Sequence, residues 1–188
     1  MKGLFLPTLS VLLLTLFIAV IPTEKEGAIY EDTVRLHILA SSDKTEDQAL
    51  KLAVRDAVLN EYGEKLSVFE DVSQAKENLT GRLAEIESFT DKTVKSLGYD
   101  YKTKVTLSEE WYETREYENF SLPCGYYTSL RIVIGEGEGQ NWWCVMFPPL
   151  CLDAATESAS YTAEEELLIS KKYSVKFKIL ELIREISK

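Results

Sequence analysis

The residues able to do chemistry are few. The chain has 188 residues, one histidine, His37, and three cysteines, Cys124, Cys144 and Cys151. A Ser–His–Asp or Cys–His centre would have to be built on His37, which acts as the base in such sites. His37 lies in the alternating stretch "TVRLHILA" (Thr33 to Ala40), and no G-x-S-x-G elbow is present to offer a serine. A structural role for His37 is therefore expected. One histidine and three cysteines without C-x-x-C spacing do not compose a structural zinc site. The acidic residues show no calcium-loop order. No metal, no cofactor and no catalytic set is expected. Two carboxylates can hydrolyse a glycosidic bond. With 31 acidic residues, however, some pair falls within reach in any fold, so a solvated acidic surface is the expected reading. "IGEGEGQ" (Ile134 to Gln140) is rich in glycine but lies between two strands, and Glu136 and Glu138 would repel a phosphate. It is expected to be a wide hairpin.

The unusual stretch is "NWWCVMFPPLC", Asn141 to Cys151. In a strand, Trp142 and Trp143 must point to opposite faces. One joins the core under the helices; the other faces the second side of the sheet. Phe147, Pro148, Pro149 and Leu150 leave the strand as a stiff apolar turn. Two readings stand: Trp142, Trp143, Phe147, Pro148, Pro149 and Leu150 supply a partner-binding surface, or the C-terminal helix covers them. Three cysteines allow at most one internal bridge. Cys144 and Cys151 are close in sequence with a proline turn between them, so either they pair or all three thiols pack as small hydrophobes.

The elements that would position these residues alternate in period. Val34, Leu36 and Ile38 share one face of a first strand, and Arg35, His37 and Leu39 the other. Asp43 with Glu46 reads as a capping box for a helix reaching about Tyr62, buried through Leu50, Val54, Ala57 and Val58 and ended by Gly63. A second helical region, Val72 to Leu97, is weakened at Gly81 and at "SFTD" (Ser88 to Asp91), so it forms either one helix or two with a break. From Tyr99 the period becomes 2. "YDYKTKVTL", "WYETREYE", "YTSLRIVIG" and Asn141 to Phe147 read as four strands, suited by their closeness to an antiparallel meander. Thr162 with Glu165 opens a last helix, whose stripe is Val175, Ile179, Leu182 and Ile186. The fold class expected is α+β: an N-terminal strand and two to three helices on a mainly antiparallel four- to five-stranded sheet, with an extra C-terminal helix.

Composition fixes the compartment more than the chemistry. Hydrophobic residues make up 45% and aromatics 11%, enough to fold around a core. A net charge of −10 argues against broad nucleic-acid binding, which needs a basic stripe, and against adsorption to anionic lipid, so no nucleic-acid partner is expected and membrane contact only through the N-terminal segment. Lys2 precedes an uncharged run to Glu24, which reads as a secretory signal or a retained N-terminal anchor. The expected divisions are 1–22 for that segment, 23–32 for a linker, 33–153 for the main domain, and 154–188 for a second linker and an amphipathic helix.

"VRLHILASSDKTEDQALKLAVRDAVL", "LGYDYKTKVTL" and "SLRIVIGEGEGQNWWCVMFPPLC" resemble the successive signatures of the stage II sporulation protein R family. The resemblance covers Thr33 to Asp153, with order and spacing kept. It implies a protein secreted from the forespore into the space between forespore and mother cell. There it would activate the membrane-embedded aspartic protease that processes pro-sigma-E. It implies a signalling ligand and not an enzyme, and offers no catalytic residue to carry over. Cys144 and Cys151 fall inside its last signature, and Cys124 outside. The alternative is an extracytoplasmic, carboxylate-dependent hydrolase of cell-wall polymer. Oligomeric state and the role of the C-terminal helix are not set by these residues.

Overall fold

The computed structural model describes residues 5–20, 24–66, 68–116, 121–148 and 175–186. The elements in order are α1 (Phe5–Val20), α2 (Glu24–Glu31), β1 (Val34–Leu39), α3 (Thr45–Val58), a π-helical turn (Leu59–Gly63) and α4 (Glu64–Leu66). Then come α5 (Val72–Gly81), α6 (Leu83–Ser96), β2 (Thr103–Tyr112), β3 (Arg115–Glu116), β4 (Ser121–Leu122), β5 (Gly125–Ile134), β6 (Asn141–Phe147) and α7 (Val175–Ile186). The class is α+β, as expected, with a mainly antiparallel four-stranded sheet and a separate two-stranded ribbon. The chain divides into two compact units. One comprises Ile29–Glu110 and Tyr126–Tyr161; the other comprises Met1–Ala28, Trp111–Gly125 and Thr162–Lys188.

In the larger unit the strand order is β2-β5-β1-β6, not that of a meander. β1 runs parallel to β5, with His37 opposite Arg131, and antiparallel to β6, with His37 opposite Trp143. β5 and β6 are consecutive in sequence, yet β1 lies between them. "IGEGEGQ" is therefore a crossing over the end of β1 and not a hairpin. The expected faces of β1 are correct: Val34, Leu36 and Ile38 enter the core with Leu50, Val54 and Val58 of α3, Leu79 of α5, Ile86 and Val94 of α6, and Leu130, Ile132 and Ile134 of β5. Ala57 is only half-buried. Of the two readings for Val72 to Leu97, two helices form, and the chain turns at Arg82, whose N–H donates to Leu79 O. Asp71 caps the first of them by accepting from the Ser73 N–H at 2.6 Å.

Three local expectations are corrected. Residues 24–31 form α2 where a linker was expected, and Ile29 is fully buried because it tucks beneath the turn into β1, where Thr33 donates to its carbonyl at 2.5 Å. "WYETREYE" is not one strand: Trp111 and Tyr112 finish β2, and Arg115–Glu116 pairs with Ser121–Leu122 as a ribbon. Asp43 does not cap α3. The cap position is Lys44, which makes no side-chain cap bond. The Asp43 carboxylate is drawn off by the Gln140 N–H, at 2.8 Å. The helix expected to open at Thr162 is described from Val175 onward; Thr162 and Glu165 lie outside the described residues.

Candidate partner-binding surface

The pleat sends the two tryptophans apart as the sequence requires. Trp142 sits opposite Ile38 and packs against the helix-side core, with the Arg55 guanidinium 4.9 Å from its ring centre. Trp143 turns to the other face, where its ring lies 5.5 Å from that of His37. Both are half-buried. Phe147 does not follow the alternation. The register shifts between Val34 and Arg35, so Val145 pairs with Arg35 but Phe147 pairs with Val34. This irregularity returns Phe147 to the core face, where it is 2% exposed. Pro148 is also buried, joined to Phe147 by a cis peptide. Phe147 is therefore part of the core and Pro148 is buried, so of the two readings neither residue supplies an exposed partner-binding surface. Pro149, Leu150 and Cys151 lie outside the described residues. Cys144 is disulfide-bonded, and Cys124 is buried and not part of a disulfide.

The second face of the sheet carries a polar row absent from the expected site. His37 bridges two strands: its Nδ1 lies 2.8 Å from Glu110 Oε2 and its Nε2 2.9 Å from Asn141 Oδ1. Arg131 donates to the other Glu110 oxygen at 3.2 Å. Burial pushes the Glu110 carboxyl up. Hydrogen bonds from His37 and Ser129, with the charges of His37 and Arg131, outweigh it and hold the group below its ordinary range. Further along this face Arg35 is fully buried against the Tyr127 ring, and Tyr30 meets Tyr127 edge-on at 5.1 Å. The members are spread over all four strands, so linear spacing could not reveal the row. The only sequence signal was a histidine on the non-core face of β1.

A second polar cluster ties the ends of β1 and β5 to α3. The Glu138 and Gly139 N–H groups donate to Ser41 O and Ala40 O. Ser42 donates to Asp47 at 2.5 Å, and Gln48 donates to Ser42 O at 2.9 Å. Lys51 is 4% exposed and donates to Gln140 O at 2.9 Å and Gln48 Oε1 at 2.7 Å. Burial draws its ammonium below the usual lysine range, against the pull of Asp43. The glycines permit this closeness. A Cβ on Gly139 would strike the Ser42 backbone, and Gly135, at φ +58°, would strike Ser41 Oγ. The residues expected to form a wide hairpin thus tie the fold together. No group of three or more metal-ligating side chains occurs among the described residues.

The arrangement is an α+β scaffold with aromatic rings on both faces of one strand. Residues 30–157 match the family model described as Stage II sporulation protein R (spore_II_R). The chain is 33% identical over 148 residues to Stage II sporulation protein R of Bacillus subtilis (strain 168), an alignment covering 79% of this chain and 66% of that relative. No solved structure matches. The chain belongs to the stage II sporulation protein R family.

Proposed function

We propose that this protein is a secreted sporulation signal. In this reading it leaves the forespore, enters the space before the mother cell, and activates the membrane-embedded aspartic protease that processes pro-sigma-E. The observation that carries the reading is the family match over residues 30–157, which takes in the whole four-stranded sheet and the helices on it. The proposed contact surface is narrower than the six residues singled out between Trp142 and Leu150. It centres on Trp143, whose ring stands off the helix-side core, with Pro149 and Leu150 as further members and Trp142 as support. Tryptophan anchors of this kind carry a large share of binding energy in many interfaces.

The hydrolase alternative is weaker. A general acid needs a raised carboxyl pKa. The carboxyls of Glu110 and Asp91 are both held below their ordinary range, the opposite of what a general acid needs. For Asp91, burial is offset by bonds from Thr103 and by Lys102. Single alanine substitutions separate the two readings. A hydrolase loses activity by orders of magnitude at one or two carboxylates, whereas the proposed activator loses protease stimulation at Trp143 and keeps it at exposed carboxylates. Loss confined to carboxylates refutes the activator reading.

A further inference from the structure

Gly81 is a glycine without a task in the fold. A helix-ending glycine ordinarily serves a left-handed turn or a close approach of two backbones. Gly81 closes α5 with no positive φ, and a Cβ there would meet nothing within 4 Å. Glycine is also among the poorest helix formers, so the position gives up helix stability for open space. That space belongs to a cleft of about 500 Å³ in the larger unit, lined by Phe69, Gln74, Glu77, Asn78, Gly81 and Arg82. Its size falls in the range of ordinary ligand sites. Gln74, Asn78 and Gly81 follow at helical spacing and so form one stripe of α5. Asn78 is half-buried, yet neither its amide nor that of Gln74 is bonded among the described residues. The amides of Gln48 and Asn141, by contrast, are both engaged.

A side-chain amide carries a donor and an acceptor, as a peptide group does. Four helical residues rise about 6 Å, and two residues of an extended chain rise about 6.7 Å. Gln74 and Asn78 therefore stand at nearly the spacing of alternate peptide groups in an extended segment. Main-chain bonds of this kind give affinity in extended-peptide recognition, and alternate side chains add specificity. The cleft offers one apolar contact, Phe69, and one charge of each sign, Glu77 and Arg82. The Arg82 guanidinium lies 3.9 Å from Glu85 at the surface, a pairing too weak to withhold it from a ligand. A saccharide could also bond to amides. It would be favoured by an open aromatic face, however, and Phe69 is partly buried against the core.

We propose that the cleft along α5 binds an extended peptide segment of a partner protein, its alternate peptide groups bonded to the Gln74 and Asn78 amides and its backbone passing over Gly81. The proposal does not depend on protease activation or on Trp143. The test pans a phage-displayed library of random linear heptapeptides on the full chain and measures the enriched sequences, labelled, by fluorescence anisotropy. Binding is expected to weaken about tenfold or more on Gly81→Leu, which fills the cleft, and on Asn78→Leu, which removes an amide. Thermal unfolding checks that both variants remain folded. N-methylation of the peptide at one set of alternate residues should abolish binding and at the other set spare it, a readout that needs no variant to fold. The side-chain amide NMR signals of Gln74 and Asn78 should shift as the peptide saturates the protein. Failure to enrich any peptide overturns the proposal, as does equal binding to folded Gly81→Leu or indifference to which residues are N-methylated. Peptides lost on Trp143→Ala but kept on Gly81→Leu also overturn it. Chitotetraose shifting the two amide signals where peptides do not overturns it in favour of a saccharide site.

Discussion

Trp142 and Trp143 are adjacent, yet the pleat gives them different work. Trp142 supports the helix-side core under Arg55. Its replacement by alanine is expected to cost about 2–4 kcal/mol in urea unfolding, near the lower part of the aromatic-to-alanine range because the ring is half-buried. Trp143→Ala is expected to leave most of the stability and, under the proposed function, to weaken protease stimulation, read as pro-sigma-E cleavage. Equal destabilisation by the two changes contradicts this division. Glu110 makes a second prediction. Its folded pKa is depressed, so its contribution is fully present above the unfolded value, about 4.3, and lost as pH falls through the folded value. Glu110→Gln should therefore cost about 2 kcal/mol at neutral pH, by loss of charge-assisted bonds. That deficit should shrink below about pH 4.3; a deficit unchanged by acid contradicts the assignment. His37 was legible as a structural residue from its strand and its solitude. Its partners were not, because Glu110 and Asn141 lie 73 and 104 positions away.

The glycines of the crossing after β5 and the one ending α5 look alike in sequence but meet different surroundings. Gly139 approaches the Ser42 backbone too closely for a side chain, whereas a Cβ on Gly81 meets nothing within 4 Å. Gly139→Ala is expected to lower the thermal midpoint, by about 1–3 kcal/mol of stability. Gly81→Ala should raise it, by up to about 1 kcal/mol, through a stiffer unfolded chain and better helix propensity. Matching shifts of the same sign would show that the crossing is looser than described. The bonded state of Cys144 suits the proposed pairing with Cys151, so mapping of the non-reduced protein should join those two peptides and leave Cys124 outside the bridge. A Cys124-containing bridged peptide contradicts that pairing. Element type was largely readable, since the periods of β1, α3, β5 and β6 are strong. Strand order was not, because closeness in sequence says nothing of β1 inserting between β5 and β6. Nor could the pattern show the register shift that buries Phe147, or the pull of Gln140 that removes Asp43 from its cap.

At the scale of the whole molecule, the α+β class was readable because the core stripes of its strands and helices are continuous. The division into units was not: Trp111–Gly125 groups with the two chain ends, which no local composition marks. The site was readable only in part. The tryptophan pair announced itself, while the polar row on the second face is assembled by tertiary structure alone. Export is argued from the uncharged run before Glu24. Deleting residues 1–21 should therefore retain the domain inside the producing cell and abolish signalling across an intact septum, read with a sigma-E-dependent reporter in the mother cell; full signalling by the truncated chain contradicts it. The proposed activation of the protease is measured by coexpressing this protein, the membrane-embedded aspartic protease and pro-sigma-E in a non-sporulating host and following cleavage by immunoblot. Processed sigma-E is expected only when all three are present, with cleavage lost on Trp143→Ala while that variant remains folded. Cleavage that proceeds equally without this protein, or none in its presence while the protease is active towards pro-sigma-E by other means, would contradict it.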